Sequence, residues 1–212
     1  MKNKRIKIII INLIIAILLI TSLLLIFKNK IREYLTGSIN DKIITAYKNN
    51  EEEVSVPWWQ KAFTDNSSNI QLTDSMLGIL LIDDLKIQEP IFQGDSEINL
   101  LNGVATVDPK QSLDDQNVVL AGHSVLGIDI RFYNLRKIQV GTEVNIVTKD
   151  RLLKYQVSRV YNVFDNQVEI LNQHPGEANI LTMFTCDAYN YKTGVWEERF
   201  VVEAKFLGEE KA

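Results

Sequence analysis

A single cysteine, Cys186, occurs among the 212 residues, and it ends the apolar run Ile180-Leu-Thr-Met-Phe-Thr-Cys186. A later run of strand-forming residues, Arg199-Phe-Val-Val-Glu-Ala-Lys-Phe206, opens on an arginine. Residues 187–198 between them hold turn and aromatic types, among them Asp187, Tyr189, Asn190, Tyr191, Gly194 and Trp196. The pattern reads as strand, loop, strand, with a thiol at the end of one strand and a guanidinium at the start of the next. Closing the loop sets the two side by side at a sheet or barrel rim, where substrate can reach both.

A thiol attacks as its thiolate and needs a cation or base beside it at neutral pH. The chain offers two histidines. His123 ends the buried-type run Val118-Val-Leu-Ala-Gly-His123, with Gly122 clearing space before it, whereas His174 sits in the loop sequence Asn172-Gln-His-Pro175. Arg199 supplies a fixed positive charge and several donors suited to an oxyanion. Structural readings stay open for each: a buried cysteine acting as a small hydrophobe, a packing histidine, and an arginine paired with Glu197 or Glu198.

The elements that must position these groups follow a long apolar segment. Residues 8–27 are interrupted only by Asn12, Thr21 and Ser22. Twenty such residues span the roughly 30 Å hydrocarbon layer of a membrane. Lys2, Lys4, Arg5 and Lys7 precede the segment, which predicts a cytoplasmic tail over 1–7, a transmembrane anchor over 8–27 and an external remainder. A cleaved signal peptide wants a shorter apolar core and a small-residue cleavage site, and Leu23-Leu-Leu-Ile-Phe27 runs straight into Lys28 instead. A buried core helix would need a polar face.

Residues 28–70 read as an external juxtamembrane helix or stalk, closing with the charge run Lys48-Asn-Asn-Glu-Glu-Glu53, the pair Trp58-Trp59 and a loop over 65–69. The stretch contains no candidate chemistry, so the catalytic domain is expected over 71–212, active without what precedes it. The first 70 residues carry a net +4 and the rest −8. So acidic a domain lacks the basic stripe that nucleic acid requires, and that partner class is excluded.

From residue 76 the pattern changes to short apolar runs broken by turn residues. Candidate strands are 77–82, 87–92, 103–107, 117–122, 143–148, 152–164, 180–186 and 199–207, with short helical turns over 96–102 and 131–135. Eight short strands in so compact a stretch predict an all-β fold, an antiparallel barrel or sandwich.

Beyond spacing, Thr182-Met-Phe-Thr-Cys186 resembles the T-L-x-T-C motif of the sortases, cysteine transpeptidases of Gram-positive bacteria, with Met183 where leucine is usual. Ala121-Gly-His123 and Trp196-Glu-Glu-Arg199 resemble the histidine and arginine segments of that family. Ser112-Leu-Asp-Asp-Gln-Asn117 and the run from Thr185 to Trp196 are similar to class A members, staphylococcal ones above all. No Asp-Pro-aromatic lid precedes the domain, which speaks against the pilus-polymerising class.

The resemblance implies an eight-stranded sortase-type β-barrel behind an N-terminal membrane helix, with His123, Cys186 and Arg199 as the catalytic residues. It implies a groove of Val107, Ala121, Val163, Val168, Ile170, Leu171, Thr182, Phe184 and Trp196 for a C-terminal Leu-Pro-x-Thr-Gly sorting signal on surface proteins. The acceptor it implies is an amine of the cell-wall precursor lipid II or of the peptidoglycan cross-bridge. Staphylococcal class A members also hold a calcium ion through four acidic side chains on two loops. The matching positions here are Asp108, Gln111, Asp115 and Gln173. With only Asp108 and Asp115 left as carboxylate candidates, no cofactor is expected, little calcium stimulation, and a loop ordered by substrate instead. The rivals are an anchored binding module with an inert cysteine and a papain-type peptidase, whose C-G-x-C-aromatic signature is absent.

Overall fold

In the computed structural model, residues 2–64, 69–73, 75–125 and 127–211 are described. The loop expected at 65–69 therefore lies, apart from Asn69, outside the described residues. The chain opens with helix α1 (Lys2–Ile26) and passes into α2 (Lys28–Lys48). Phe27 N donates to Leu23 O and Ile31 N to Phe27 O, so the hydrogen-bond ladder runs across the junction. Within α1, Arg5–Ile26 has a mean hydropathy of 3.1 and none of it is buried, so it is long and apolar enough to cross a membrane.

Two short strands follow, β1 (Glu53–Val54) and β2 (Ile70–Gln71), with the single turn α3 (Trp58–Lys61) between them. Strands β3 (Met76–Ile82), β4 (Ile87–Phe92), β5 (Val104–Thr106), β6 (Asn117–Ala121), β7 (Glu143–Val147), β8 (Arg151–Phe164), β9 (Ile180–Asn190) and β10 (Val195–Lys211) form a closed barrel. Their order is β10-β8-β7-β3-β4-β5-β6-β9, closed by the β9–β10 pairing. The β4–β5 and β6–β9 pairs are parallel and the other barrel pairs antiparallel. All eight expected strands are present, and the turn expected at 96–102 is helix α4 (Glu97–Asn102), capped by the Ser96 hydroxyl accepting from Asn99 N.

Two expectations change. The stretch 187–198, read as a loop, is mostly β-ribbon, because β9 and β10 keep pairing past Cys186 as far as Asn190↔Val195. The turn is confined to 191–194. Asn190 Oδ1 accepts from Lys192 N, Asn190 O accepts from Gly194 N, and Gly194 takes φ +74°, a value that suits glycine.

The boundary expected at residue 71 also does not mark the edge of the packed unit. Ile39 and Ile43 of α2 are fully buried, with Ile44 and Tyr47, in a cluster shared with Val54, Ile70, Leu72, Met76, Ile79, Phe92 and Ala105. An apolar stripe at 39, 43 and 47 is a helix face made to dock, and it covers the outside of β3, β4 and β5. The barrel interior is a separate core of alternating residues, including Leu120, Leu153, Leu181, Met183, Val202 and Ala204.

Helix α2 is also keyed to the barrel by polar groups. Asn40 Nδ2 donates to Glu89 Oε2 at 2.8 Å, and Arg131 Nη1 donates to Asn40 Oδ1 at 2.7 Å and to Glu89. Arg131 Nη2 donates to the carbonyl of Leu101. All three side chains are buried, so each charge is held only because the others satisfy it.

Candidate active site

Strands β6 and β9 run parallel, with Ala121 opposite Phe184, and Gly122 N continues the ladder to Phe184 O at 3.2 Å. His123 and Cys186 each lie two residues further on, so they leave the barrel at the same rim. Antiparallel pairing across β9, β10 and β8 sets Cys186 opposite Arg199, and Arg199 opposite Val163. Directly paired residues share a sheet face. Because Leu181, Met183, Val202 and Ala204 fill the interior, alternation turns Cys186, Arg199 and Val163 outward. Cys186 is a free thiol, half-buried.

His123 is placed by its neighbours. Its carbonyl accepts from Phe132 N at 3.0 Å, and its Nε2 lies 3.7 Å from Glu97 Oε1. A Cβ on Gly122 would come within 2.5 Å of the fully buried Phe132 ring, so only glycine lets the chain turn over that ring. His174 is elsewhere: its amide donates to Gln116 Oε1, before the start of β6, roughly 20 Å of strand from the rim. Of the two histidines, the fold brings His123 alone to the thiol's end of the barrel.

Arg199 Nη1 donates to the carbonyls of Trp196 at 3.1 Å and Glu198 at 3.0 Å. The two glutamates considered as its partners bond amides, Glu197 accepting from Asn190 Nδ2 and Glu198 from Asn162 Nδ2. Two neutral carbonyls hold the guanidinium beside Cys186, and an incoming anionic oxygen competes well against neutral acceptors.

The same alternation puts Ala121, Thr182 and Phe184 on the outer face of β6 and β9, the side that carries Cys186. The 165–179 segment that joins β8 to β9 carries a 3-10 turn over Val168–Leu171, where Ile170 and Leu171 are half-buried and Val168 is exposed. Val107, Val119 and Leu171 line a cavity of about 270 Å³. Trp196 is carried on the hairpin instead, where its ring meets Tyr189 at 5.0 Å, and it reaches the site through its carbonyl. A cleft of about 960 Å³ opens between Tyr47, Leu72, Lys110 and Arg151 and takes in none of the three catalytic candidates.

Asp108, Gln111, Asp115 and Gln173 do converge on the 270 Å³ cavity, and each also bonds to the protein itself. Gln173 Oε1 accepts from Asn117 N and its Nε2 donates to Asn117 O; Gln111 Nε2 donates to the same carbonyl. Asp108 and Asp115 bond backbone amides of their own loop, Lys110 N and Ser112 N. The site thus holds two carboxylates, each bonded through one oxygen to an amide, and two amide side chains bonded to Asn117, where calcium wants six to eight oxygens and gains affinity from charged ones. Among the described residues no cluster of three or more His, Cys, Asp or Glu forms.

These amides were not legible as a unit. Asn117 Nδ2 also donates to the carbonyls of Ile170 and Asn172, Thr182 donates to Asn117 Oδ1, and Gln116 Nε2 donates to Ala178 O. The loop expected to await substrate is thus already tied to β6 by side chains of the chain itself. Arg136, equally unforeseen, donates through Nη2 to the carbonyl of Cys186 at 2.5 Å and pairs with Asp187 at 3.0 Å. A basic residue in the sequence Leu135-Arg-Lys137 shows no signal of that role.

Residues 80–207 match the sortase domain family. Sortase A of Staphylococcus aureus is 32% identical over 192 residues, covering 89% of this chain and 92% of that protein. Sortase A of Streptococcus agalactiae is 25% identical over 191 residues, covering 82% of this chain and 77% of the relative. Among solved structures, a sortase D5 transpeptidase of Clostridium perfringens covers 81% of this chain and 99% of its own at a TM-score of 0.60 and 22% identity. A Listeria monocytogenes sortase A covers 65% and 91% at 0.59 and 22%. This eight-stranded barrel, with a thiol, a histidine and an arginine at one rim, belongs to the sortase family of cysteine transpeptidases, which anchor surface proteins to the cell wall.

Proposed function

We propose that this chain is a class A-type sortase that cleaves the Thr–Gly bond of C-terminal Leu-Pro-x-Thr-Gly signals and passes the surface protein to an amine of lipid II. The observation that carries the reading is the direct pairing of Cys186 with Arg199 beside the outer-face groove, with His123 leaving the same rim. Cys186 Sγ attacks the threonine carbonyl carbon, and the carbonyl oxygen takes up the negative charge. Arg199 turns from its two carbonyl acceptors to that oxygen or to the signal's backbone. The C–N bond breaks, His123 gives a proton to the departing glycine amine, and a thioester remains on Cys186. An incoming amine then attacks the same carbon, His123 takes its proton, and Sγ leaves as the new amide forms.

The groove residues Val107, Ala121, Val163, Ile170, Leu171, Thr182 and Phe184 suit the signal's leucine and proline, with Val168 on the exposed edge of the wall. Membrane attachment fits the acceptor. Asn29 of α2 approaches Gly127, and Arg32 lines a small cavity together with His123. Arg32 is six residues past the end of α1, about 9 Å of helix. With α1 in the bilayer and its basic N-terminus cytoplasmic, the rim works close to the outer membrane surface, where a lipid-linked amine waits.

The test is product analysis by mass spectrometry with a fluorescent sorting-signal peptide, with and without an added glycine-based amine. The reading requires a thioester on Cys186 and an amine-dependent transpeptidation product. A chain that yields neither, while folded, rules it out.

A further inference from the structure

We infer that Arg136 is a positioning residue for the proposed reaction, a guanidinium clamp that fixes the histidine segment and the cysteine strand relative to one another. Arg136 sits in the 3-10 turn Tyr133–Lys137 that follows the His123 segment. The turn that carries it is anchored by Phe132 and Leu135, both fully buried. Nη1 donates to Ser124 Oγ at 3.0 Å, the residue after His123. Nη2 donates to the carbonyl of Cys186 at 2.5 Å and lies 3.0 Å from Asp187 Oδ1, the residue after Cys186. One planar group therefore bridges the Ser124 hydroxyl, next to His123, and the backbone carbonyl of Cys186.

Asp187 is held from the other side as well. Its Oδ2 accepts from Asn162 Nδ2 at 3.1 Å on β8, and its Oδ1 accepts from Ala188 N at 2.8 Å. Ala188 takes φ +50°, so β9 departs from regular geometry right after the cysteine. β10 still pairs with β9 there, but on the other side of β9 the β6–β9 ladder has ended by Gly122, so Cys186 has no ladder partner toward the histidine segment. The guanidinium supplies the cross-link beyond the last ladder bond. Arg136 Nε is buried with no hydrogen-bond partner, so the terminal nitrogens, not the whole fork, set the orientation. A lysine would keep the charge but reach only one of the three acceptors well.

The inference rests on the transpeptidase reading for its kinetic arm and on Cys186 alone for its chemical arm. Full-length protein in detergent, wild type and Arg136→Met and Arg136→Lys, is assayed for kcat and KM on a sorting-signal peptide, for the rate of Cys186 alkylation by iodoacetamide, and for Tm. The expected result is a kcat lower by about ten- to a hundredfold in Arg136→Met with KM within about twofold, and a smaller loss in Arg136→Lys. Alkylation should change several-fold in Arg136→Met. A kcat and an alkylation rate both within about twofold of wild type overturn the clamp. Should Arg136→Met not fold, Arg136→Lys decides on the same criteria. If wild type transfers no peptide but alkylation still changes in the variants, the clamp stands and the transpeptidase reading falls.

Discussion

Cys186 and Arg199 face one another as directly paired residues of the antiparallel strands β9 and β10. The register that pairs them continues through Leu181 opposite Ala204 in the barrel core, so a one-residue slip would turn either the core or the site to the wrong face. Core packing therefore holds the thiol and the guanidinium on one face. Cys186→Ala is expected to abolish acyl transfer and leave Tm close to wild type, because the half-buried side chain contributes little packing. Arg199→Lys should lower kcat/KM by about a hundredfold, a point charge being no substitute for the planar fork. Steady-state kinetics and thermal melts of both variants check this; turnover retained by Cys186→Ala would falsify the assignment of the nucleophile.

Gly122→Ala tests how the fold aims His123. The added methyl would lie 2.5 Å from Phe132, whose amide donates to the His123 carbonyl. Relief requires movement of the histidine segment, so activity should fall by at least about tenfold, with a destabilisation of roughly 1–3 kcal/mol from overpacking. A fully active variant with an unchanged melt would mean that the segment tolerates a shift without consequence.

Helix α2 was expected to be dispensable, and its packing predicts otherwise. Removing residues 1–27 should leave a soluble, folded and active domain. Deleting 1–70 strips away Ile39 and Ile43, each contributing about 1.5–3 kcal/mol by burial, and leaves Glu89 and Arg131 without Asn40. That shorter protein should melt far lower or aggregate. Asn40→Ala in the longer domain isolates the polar key, with an expected loss of about 1–3 kcal/mol by urea unfolding. Equal stability of the two truncations would show that the helix face contributes nothing.

The three candidate catalytic residues stood out in the sequence as chemical groups at the ends of apolar runs, but spacing left a structural reading open for each, and the resemblance to sortase motifs was what grouped them. The eight strands were legible as short apolar runs broken by turn residues. Helix α2 was not, because its apolar face reads as an amphipathic stalk until the outside of β3–β5 is there to receive it. Gln116, Asn117 and Gln173 were opaque for a different reason. Amides carry no charge pattern, and their partnership spans more than fifty residues of sequence. Arg136 meets Cys186 across the same kind of separation.

On the surface, Arg151 donates to Asp114 at 2.7 Å and, as hydrogen-bond partner first and charge second, holds that carboxyl below the usual carboxylate range. A depressed carboxylate contributes stability that is complete above its unfolded pKa, about 3.9, and is lost as pH falls through the lower folded value. Both side chains are solvent-accessible, so the contribution stays under about 1 kcal/mol. Arg151→Met should accordingly be slightly less stable than wild type at pH 7, and the gap should close in acid. Urea midpoints at pH 7 and below pH 3 measure it, and a gap that widens on acidification contradicts the sign.

Calcium should do little for this enzyme. The wall of the groove is joined to β6 by Gln173 bonding both backbone groups of Asn117, by Asn117 Nδ2 bonding Ile170 and Asn172, and by Gln116 bonding His174 and Ala178. These bonds join the two segments that a bridging ion would join, and they use neutral groups that offer no charge to a cation. Transpeptidation rates with millimolar calcium and with chelator should therefore agree within about twofold. Asn117→Ala removes the centre of the amide network and should raise KM for the signal more than it lowers kcat, because the wall then costs ordering entropy on binding. Gln173→Glu restores a carboxylate beside Asp108 and Asp115 and should gain a calcium response that wild type lacks. A several-fold calcium stimulation of wild type would mean that Gln111 and Gln173 yield their bonds to the ion, and the amide network would then be an open-state contact.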